Sequence, residues 1–225
     1  MRRIFFIVMC TLCTTCIDAQ IEVTKFLGIP VDGSKQQMIS QLKAKGYKYD
    51  SQSDCLTGEF NGRDVNIYVV TNNNKVCRIM LADAVYSSKT DIKIRFNTLC
   101  RQFKNNEKYL NPSLKEYEIS ETEDISFEMN YHNKSYEALY YQVTNQLDSV
   151  TMTNKLQEFL VSKYGKDLSN LTEEQQIDVL TSPVLFYLNL YKDNSVWFKI
   201  HEYHRKFGII MYYDNDRNRA NGEDL

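Results

Sequence analysis

His201-Glu202-Tyr203-His204 gathers two imidazoles and a carboxylate within four residues, the residue types of a hydrolytic zinc site. That chemistry needs the histidines four apart on a helix, so that both rings face one ion. Here they are three apart at the end of a segment with strand alternation, and side chains three apart on a strand point to opposite faces. The pattern reads as surface histidines near a hairpin, and no metal is assigned. Asp214-Asn215-Asp216-Arg217-Asn218 opens like a calcium loop, but its sixth position is Arg219 and its twelfth is Leu225, where glycine and a bidentate acid are required. The expectation is a solvated tail from Asn215 to Leu225, loosely held, with Asp214 and Asp216 free. Cys100 shares an apolar helical face with Leu99 and Phe103, a setting for a buried thiol rather than a nucleophile. The chain shows no glycine-flanked serine elbow, phosphate-cradling loop or dinucleotide fingerprint. No catalytic residue and no cofactor is assigned.

The surplus lies in aromatic residues: 16 tyrosines, 11 phenylalanines and one tryptophan. Strand alternation over Val196 to Tyr203 puts Trp197 and Tyr203 with Lys199 and His201, opposite Val196, Phe198 and Ile200. The same alternation over Val184 to Tyr191 puts Tyr187 and Tyr191 with Asn189. Tyrosine and tryptophan offer apolar area with a polar tip, which suits interfaces. Tyr136, Tyr140, Tyr187, Tyr191, Trp197, Tyr203 and Tyr212 are therefore the binding candidates. The competing reading is a core whose outer sheet face is finished with tyrosines. The functional expectation is an exported, non-enzymatic binding or interaction protein of the cell envelope, whose partner is another envelope or extracellular protein. The alternative is a glycan-binding protein or hydrolase with a site assembled from scattered carboxylates and tyrosines, Glu128 first and Glu202 second.

These residues need elements to hold them, and the pattern predicts an α+β fold: antiparallel meanders with amphipathic helices packed on one face, in two or three helix-plus-meander units. A strand over Ile21–Ile29 leads to a helix opened by the Ser34/Gln37 capping box and closed at Gly46. Three strands follow, Cys55–Phe60, a segment through Val65, Ile67 and Val69, and Val76–Ala82, turned at Asn61-Gly62 and Asn72-Asn73-Asn74. Ile92, Phe96, Leu99, Cys100 and Phe103 mark the next helix face. Ile125, Phe127, Met129 and Tyr131 alternate with polar residues and predict a strand, with a return from Tyr136 to Val143. Leu156, Phe159, Leu160 and Tyr164 mark a helix ending at Gly165. Thr172 and Gln175 cap a short helix to Leu180 that Pro183 stops, before strands at Val184–Tyr191, Val196–Tyr203 and Phe207–Tyr213.

Arg2-Arg3, the apolar run Ile4–Cys13 and the small-residue end at Ala19 have the layout of a secretory signal peptide, cut between Ala19 and Gln20. The run is too short to span a bilayer, and the mature chain is expected to carry no transmembrane segment. The expected location is periplasmic or extracellular. A lipid anchor at Cys16 is the lesser alternative, because Cys13 stands where a lipobox wants an aliphatic residue. The domain reading is 1–19 leader, 20–146 an N-terminal α+β region, and 147–225 a C-terminal α+β region packed with it as one globular unit. Losing Arg2, Arg3 and Asp18 with the leader moves the formal charge from −2 to −3. The charges are well mixed, without the basic stripe of a nucleic-acid footprint. Three of the six cysteines leave with the leader, and Cys55, Cys77 and Cys100 remain, an odd number for a disulfide framework. A Cys55–Cys77 bridge and three buried thiols both stay open.

The opening Phe26-Leu27-Gly28-Ile29-Pro30-Val31-Asp32-Gly33-Ser34, with its helix ending Lys45-Gly46-Tyr47, resembles uncharacterised secreted proteins of gut Bacteroidetes. Glu121-Thr122-Glu123-Asp124, Tyr212-Tyr213-Asp214-Asn215 and Asn221-Gly222-Glu223-Asp224-Leu225 look similar as well, as does the Ala19-Gln20 junction. Asp148-Ser149-Val150 is similar to the short O-glycosylation signal of those bacteria. The resemblance covers nearly the whole mature chain and implies no activity. At the level of fold, helix-plus-meander units also resemble the envelope modules of the beta-lactamase-inhibitor-protein-like type, which bind proteins.

Overall fold

The computed structural model describes residues 22–113, 116–144, 148–165 and 172–220. The leader, Cys16, the Ala19-Gln20 junction and residues 221–225 lie outside them. The described chain is α+β. Ten strands run β1 (Lys25–Phe26), β2 (Ile29–Pro30), β3 (Lys48–Asp50), β4 (Cys55–Phe60), β5 (Arg63–Asn72), β6 (Lys75–Asp83), β7 (Tyr109–Leu110), β8 (Glu137–Gln142), β9 (Ser195–Tyr203) and β10 (Lys206–Asp214). Five helices are α1 (Lys35–Ala44), α2 (Lys89–Lys104), α3 (Ile125–Tyr131), α4 (Ser149–Tyr164) and α5 (Glu173–Tyr191). β1 and β2 form a small hairpin, and the other eight strands make one antiparallel sheet in the order β3-β4-β5-β6-β10-β9-β8-β7. The expected meanders thus merge: β10, late in the chain, pairs with β6 and joins the two halves.

Local chemistry sets the elements. Ser34 accepts from the Gln37 N–H and Gln37 returns the bond to the Ser34 backbone, a closed capping box worth about 1 kcal/mol. Asn61 and Gly62 take φ 51° and 73°, the mirror-image turn that suits the twist between β4 and β5. Gly58 lies under the Tyr47 ring, where a Cβ would come within 2.5 Å of a ring carbon. The core fills one face of the sheet: Val65, Ile67 and Val69 of β5, Ile79 and Leu81 of β6, Val196 and Phe198 of β9, and Ile209 and Met211 of β10 meet Met38 and Leu42 of α1 and Ile92, Phe96 and Phe103 of α2. The alternate residues of these strands stand on the other face, which neither α1 nor α2 covers.

Several expectations are corrected. Ile21–Ile29 is not one strand; the chain turns at Leu27-Gly28 to make β1 and β2. Ile125–Tyr131 is helix α3, capped by Asp124, which accepts from the N–H groups of Ser126 and Phe127. Pro183 does not stop a helix, because α5 runs through it to Tyr191, so Val184–Tyr191 is helical rather than a strand. Ser182 donates to the Asp178 carbonyl at 2.8 Å and Tyr164 reaches Ser182 at 2.9 Å, side-chain bonds that brace the turn where proline removes a backbone donor. The tail is not loose up to Ala220. Asn215 is 1% exposed and donates to the Val31 carbonyl at 2.9 Å, while Asn218 donates to the Val76 carbonyl at 2.9 Å. Cys55, Cys77 and Cys100 are free and buried. Among the described residues, no helix is long and apolar enough to cross a membrane.

Candidate functional site

Register builds the site on the face that α1 and α2 leave open. β10 pairs with β6 so that Asp214 lies opposite Arg78, and with β9 so that Tyr212 lies opposite Trp197. The Trp197 and Tyr212 rings stack with centroids 4.0 Å apart and planes 18° from parallel. The Arg78 guanidinium sits 4.7 Å from the Tyr212 ring centre and 5.6 Å from that of Trp197. Beneath this ladder the Asp214 side chain is fully buried. It accepts from Arg78 Nε at 2.5 Å, Arg78 Nη2 at 2.8 Å and Trp197 Nε1 at 2.9 Å. Thr24 Oγ1 donates to the Asp214 carbonyl. The bidentate carboxylate raises the Arg78 pKa, and burial raises those of Tyr212 and Cys77. Three donors converge on the Asp214 carboxylate, which thereby holds Arg78 and Trp197 in place.

Half-buried Tyr68, Met80, Ile210 and Leu139 surround the ladder on the same face. Beside it opens a concavity of about 520 Å³, bordered by Leu139, Tyr141, Lys192, Ser195, Asp216 and Arg219. Arg219 bonds Asp216 at 2.8 Å and approaches Asp214 at 3.8 Å. Asp214 and Asp216 are therefore not free, and the calcium-loop stretch is instead a hub of arginine contacts. Among the described residues no three His, Cys, Asp or Glu side chains stand together as a metal site.

The tyrosine candidates separate. Trp197 and Tyr212 form the ladder, in which Tyr212 is itself buried at 8% exposed and offers little surface, and Tyr203 lies farther along the same face, 60% exposed, with its ring 6.2 Å from Tyr86. Tyr140 belongs to the core: it is 2% exposed, stacks on Phe103 at 4.8 Å and reaches the Cys100 carbonyl. Tyr136 is also buried, with its hydroxyl donating to Glu123 at 2.5 Å. Both point inward because β8 pairs with β9, which gives Ala138, Tyr140 and Gln142 the core parity. Tyr187 and Tyr191 sit on α5, where one turn brings their rings to 5.5 Å, and Tyr191 is fully buried. Glu128 pairs with His132 at 2.9 Å and Glu202 accepts from Asn130 at 3.3 Å. Burial pushes the Cys100 thiol up to about 12, the protonation of an inert core cysteine.

Sequence reading missed Arg78 and Asp214 as partners. Alternation in Val76–Ala82 does place Arg78 opposite Ile79 and Leu81, but its meeting with a residue 136 positions away depends on the β6–β10 pairing. Comparison of the chain with protein-family models, curated proteins and solved structures finds no match in any of the three.

Proposed function

We propose that this is an exported, non-enzymatic binding protein that engages another extracellular or envelope protein through the open face of its sheet. Export rests on the leader pattern of residues 1–19. The observation that carries the binding reading is the composition of the ladder and its border: arginine, tyrosine, tryptophan and methionine, the types enriched at the centres of protein interfaces, held in fixed geometry by one buried carboxylate. A pre-ordered aromatic–arginine centre loses little side-chain entropy on binding. α1 and α2 pack on the other face, and the end of α5 reaches this side at β8, where Lys192 borders the concavity.

The test is a pull-down from envelope and secreted fractions with the purified mature chain. Ile210→Glu and Leu139→Glu charge the face without touching Asp214 or the core. A specific partner that both variants lose, at unchanged melting temperature, supports the reading. No partner, or one that both variants retain, overturns it.

A further inference from the structure

A second concavity lies between α3 and the end of the β9–β10 hairpin, with a volume of about 1,130 Å³. Its charges are unevenly paired. Lys134 is taken by Glu123, Asp124 by Lys89, and Glu202 accepts from Asn130. Lys199 and Arg205, which also line it, have no carboxylate within ion-pair distance among the described residues, although Glu137 stands across the ladder from Lys199. His201 and His204 stand beside them. Glu202 keeps its charge, because an amide does not neutralise a carboxylate, so two cations without an ion pair face one such carboxylate in the lining, a surplus of one positive charge.

The hairpin tip is the second, independent observation. Three two-residue turns join neighbouring strands of the sheet. Two use Asn61-Gly62 and Asn73-Asn74, residues that accept positive φ readily. The third holds His204 and Arg205 at φ 50° and 60°. Histidine is tolerated at positive φ but arginine is disfavoured there, so the tip holds Arg205 in a conformation that asparagine or glycine adopts more readily.

Backbone direction supplies the third. Ile200 N–H bonds to the Tyr136 carbonyl, so even-numbered residues of β9 bond toward β8. β8 begins only at Glu137, and the Glu202 N–H and C=O, two residues on, face the groove beyond it. Opposite, Phe127 and Tyr131 of α3 stack at 4.7 Å and are 47% and 74% exposed.

We propose that this groove binds an extended, acidic polypeptide segment that pairs with the free β9 edge at Glu202, sets its carboxylates against Lys199 and Arg205, and lays alternate apolar side chains on Phe127 and Tyr131. A strand edge recognises a peptide backbone, which favours a polypeptide over an acidic glycan. The site adjoins the open-face ladder, Lys199 lying two residues from Trp197 on β9, but its edge at Glu202 and its α3 wall belong to neither the ladder nor its border.

The probe is a short alternating Glu–Val peptide, measured by fluorescence anisotropy against an Asn–Val analogue, an N-methylated Glu–Val peptide and polygalacturonate. The full mature chain should bind the Glu–Val peptide in a salt-sensitive way, with both peptide analogues at least about tenfold weaker. The double variant His204→Asn/Arg205→Gly should melt at or above the wild-type temperature and still lose about tenfold in affinity. Val184→Ser, on α5 and 61% exposed outside the groove, should leave peptide binding unchanged. Absent binding, equal binding of the Asn–Val or N-methylated peptides, preference for polygalacturonate, or full affinity in the turn variant would each overturn the proposal.

Discussion

Strand β6 contributes to two buried arginine–aspartate pairs, one on each face of the sheet, and they are built differently. On the open face Arg78 meets Asp214 with two hydrogen bonds, and Trp197 adds a third. On the core face Asp83 meets Arg95 of α2 through a single bond at 2.6 Å, with a further bond from the Ile209 N–H at 2.8 Å, and the buried Arg95 Nε has no partner. The pKa directions follow. Arg78 is raised by its carboxylate partner, whereas Arg95 is lowered and Asp83 raised, both chiefly by burial. Both partners of the inner pair move toward neutrality although their charged atoms touch, so desolvation exceeds attraction there. Burial and bonding act together: Arg95 is the more buried arginine, 13% exposed against 23% for Arg78, and it has one carboxylate bond where Arg78 has two.

Asp214→Ala tests the open-face pair most severely. It strands the Arg78 guanidinium and the Trp197 N–H, and should cost about 3–5 kcal/mol in urea denaturation. A loss under 1 kcal/mol would mean that the ladder does not depend on its carboxylate. The inner pair should respond differently. Asp83→Leu with Arg95→Met replaces both charges by apolar groups and removes the unpartnered Nε. Because the Ile209 N–H loses its acceptor as well, the gain of about 1–4 kcal/mol from removing the charges is offset by about 1–3 kcal/mol and stability should stay near wild type, while Asp83→Leu alone destabilises further by leaving Arg95 buried and unpaired. If the double variant were as unstable as the single one, the contrast between the pairs would fail. Trp197→Phe is gentler: it deletes one donor to Asp214 and keeps the ring stack. About 2 kcal/mol is expected, as for a hydrogen bond to a charged group. Coupling between Trp197→Phe and Arg78→Met, measured as a double-mutant cycle, would show whether the ladder acts as one unit.

Legibility in the sequence divides along similar lines. Where local chemistry decides, the elements were readable: the Ser34/Gln37 box opens α1, the stripe from Ile92 to Phe103 marks α2, and Asn61-Gly62 turns β4 into β5. Where the environment decides, they were not. Ile125, Phe127, Met129 and Tyr131 alternate as in a strand, yet no neighbour pairs with them, and the same residues put Phe127 and Tyr131 one helical turn apart. The apolar run Val184–Leu188 fits a buried strand or a buried helix equally, and Pro183 weighed toward a break that side-chain bonds around Ser182 offset. Of the candidate site, alternation placed Trp197 on its face, with Tyr203 farther along it, while Tyr212 was named from the aromatic surplus alone. The carboxylate that fixes the ladder was hidden by its position in an apparent tail.

The smallest effect is the most diagnostic of the inner pair. Burial holds the Asp83 carboxyl above the ordinary aspartate range, against the lowering influence of Ile209 N–H and Arg95. A folded-state value above the unfolded one, about 3.9, means that the folded protein takes up this proton more readily. The stability this contributes is fully present below about pH 3.9 and is lost as pH rises through the folded value. Asp83→Asn abolishes the titration, so wild-type stability relative to that variant should decline with rising pH and then level off, at no more than about 1.4 kcal/mol per pH unit. Glu123 supplies a built-in opposite. Its hydrogen bonds from Lys134 and Tyr136 lower its pKa, so wild type relative to Glu123→Gln should lose stability as pH falls. Urea titrations of the two variants from about pH 3 to about pH 7 should therefore give difference curves of opposite slope. Two curves of the same slope would mean that the arginine wins on the core face after all, and that the two pairs on β6 are energetically alike.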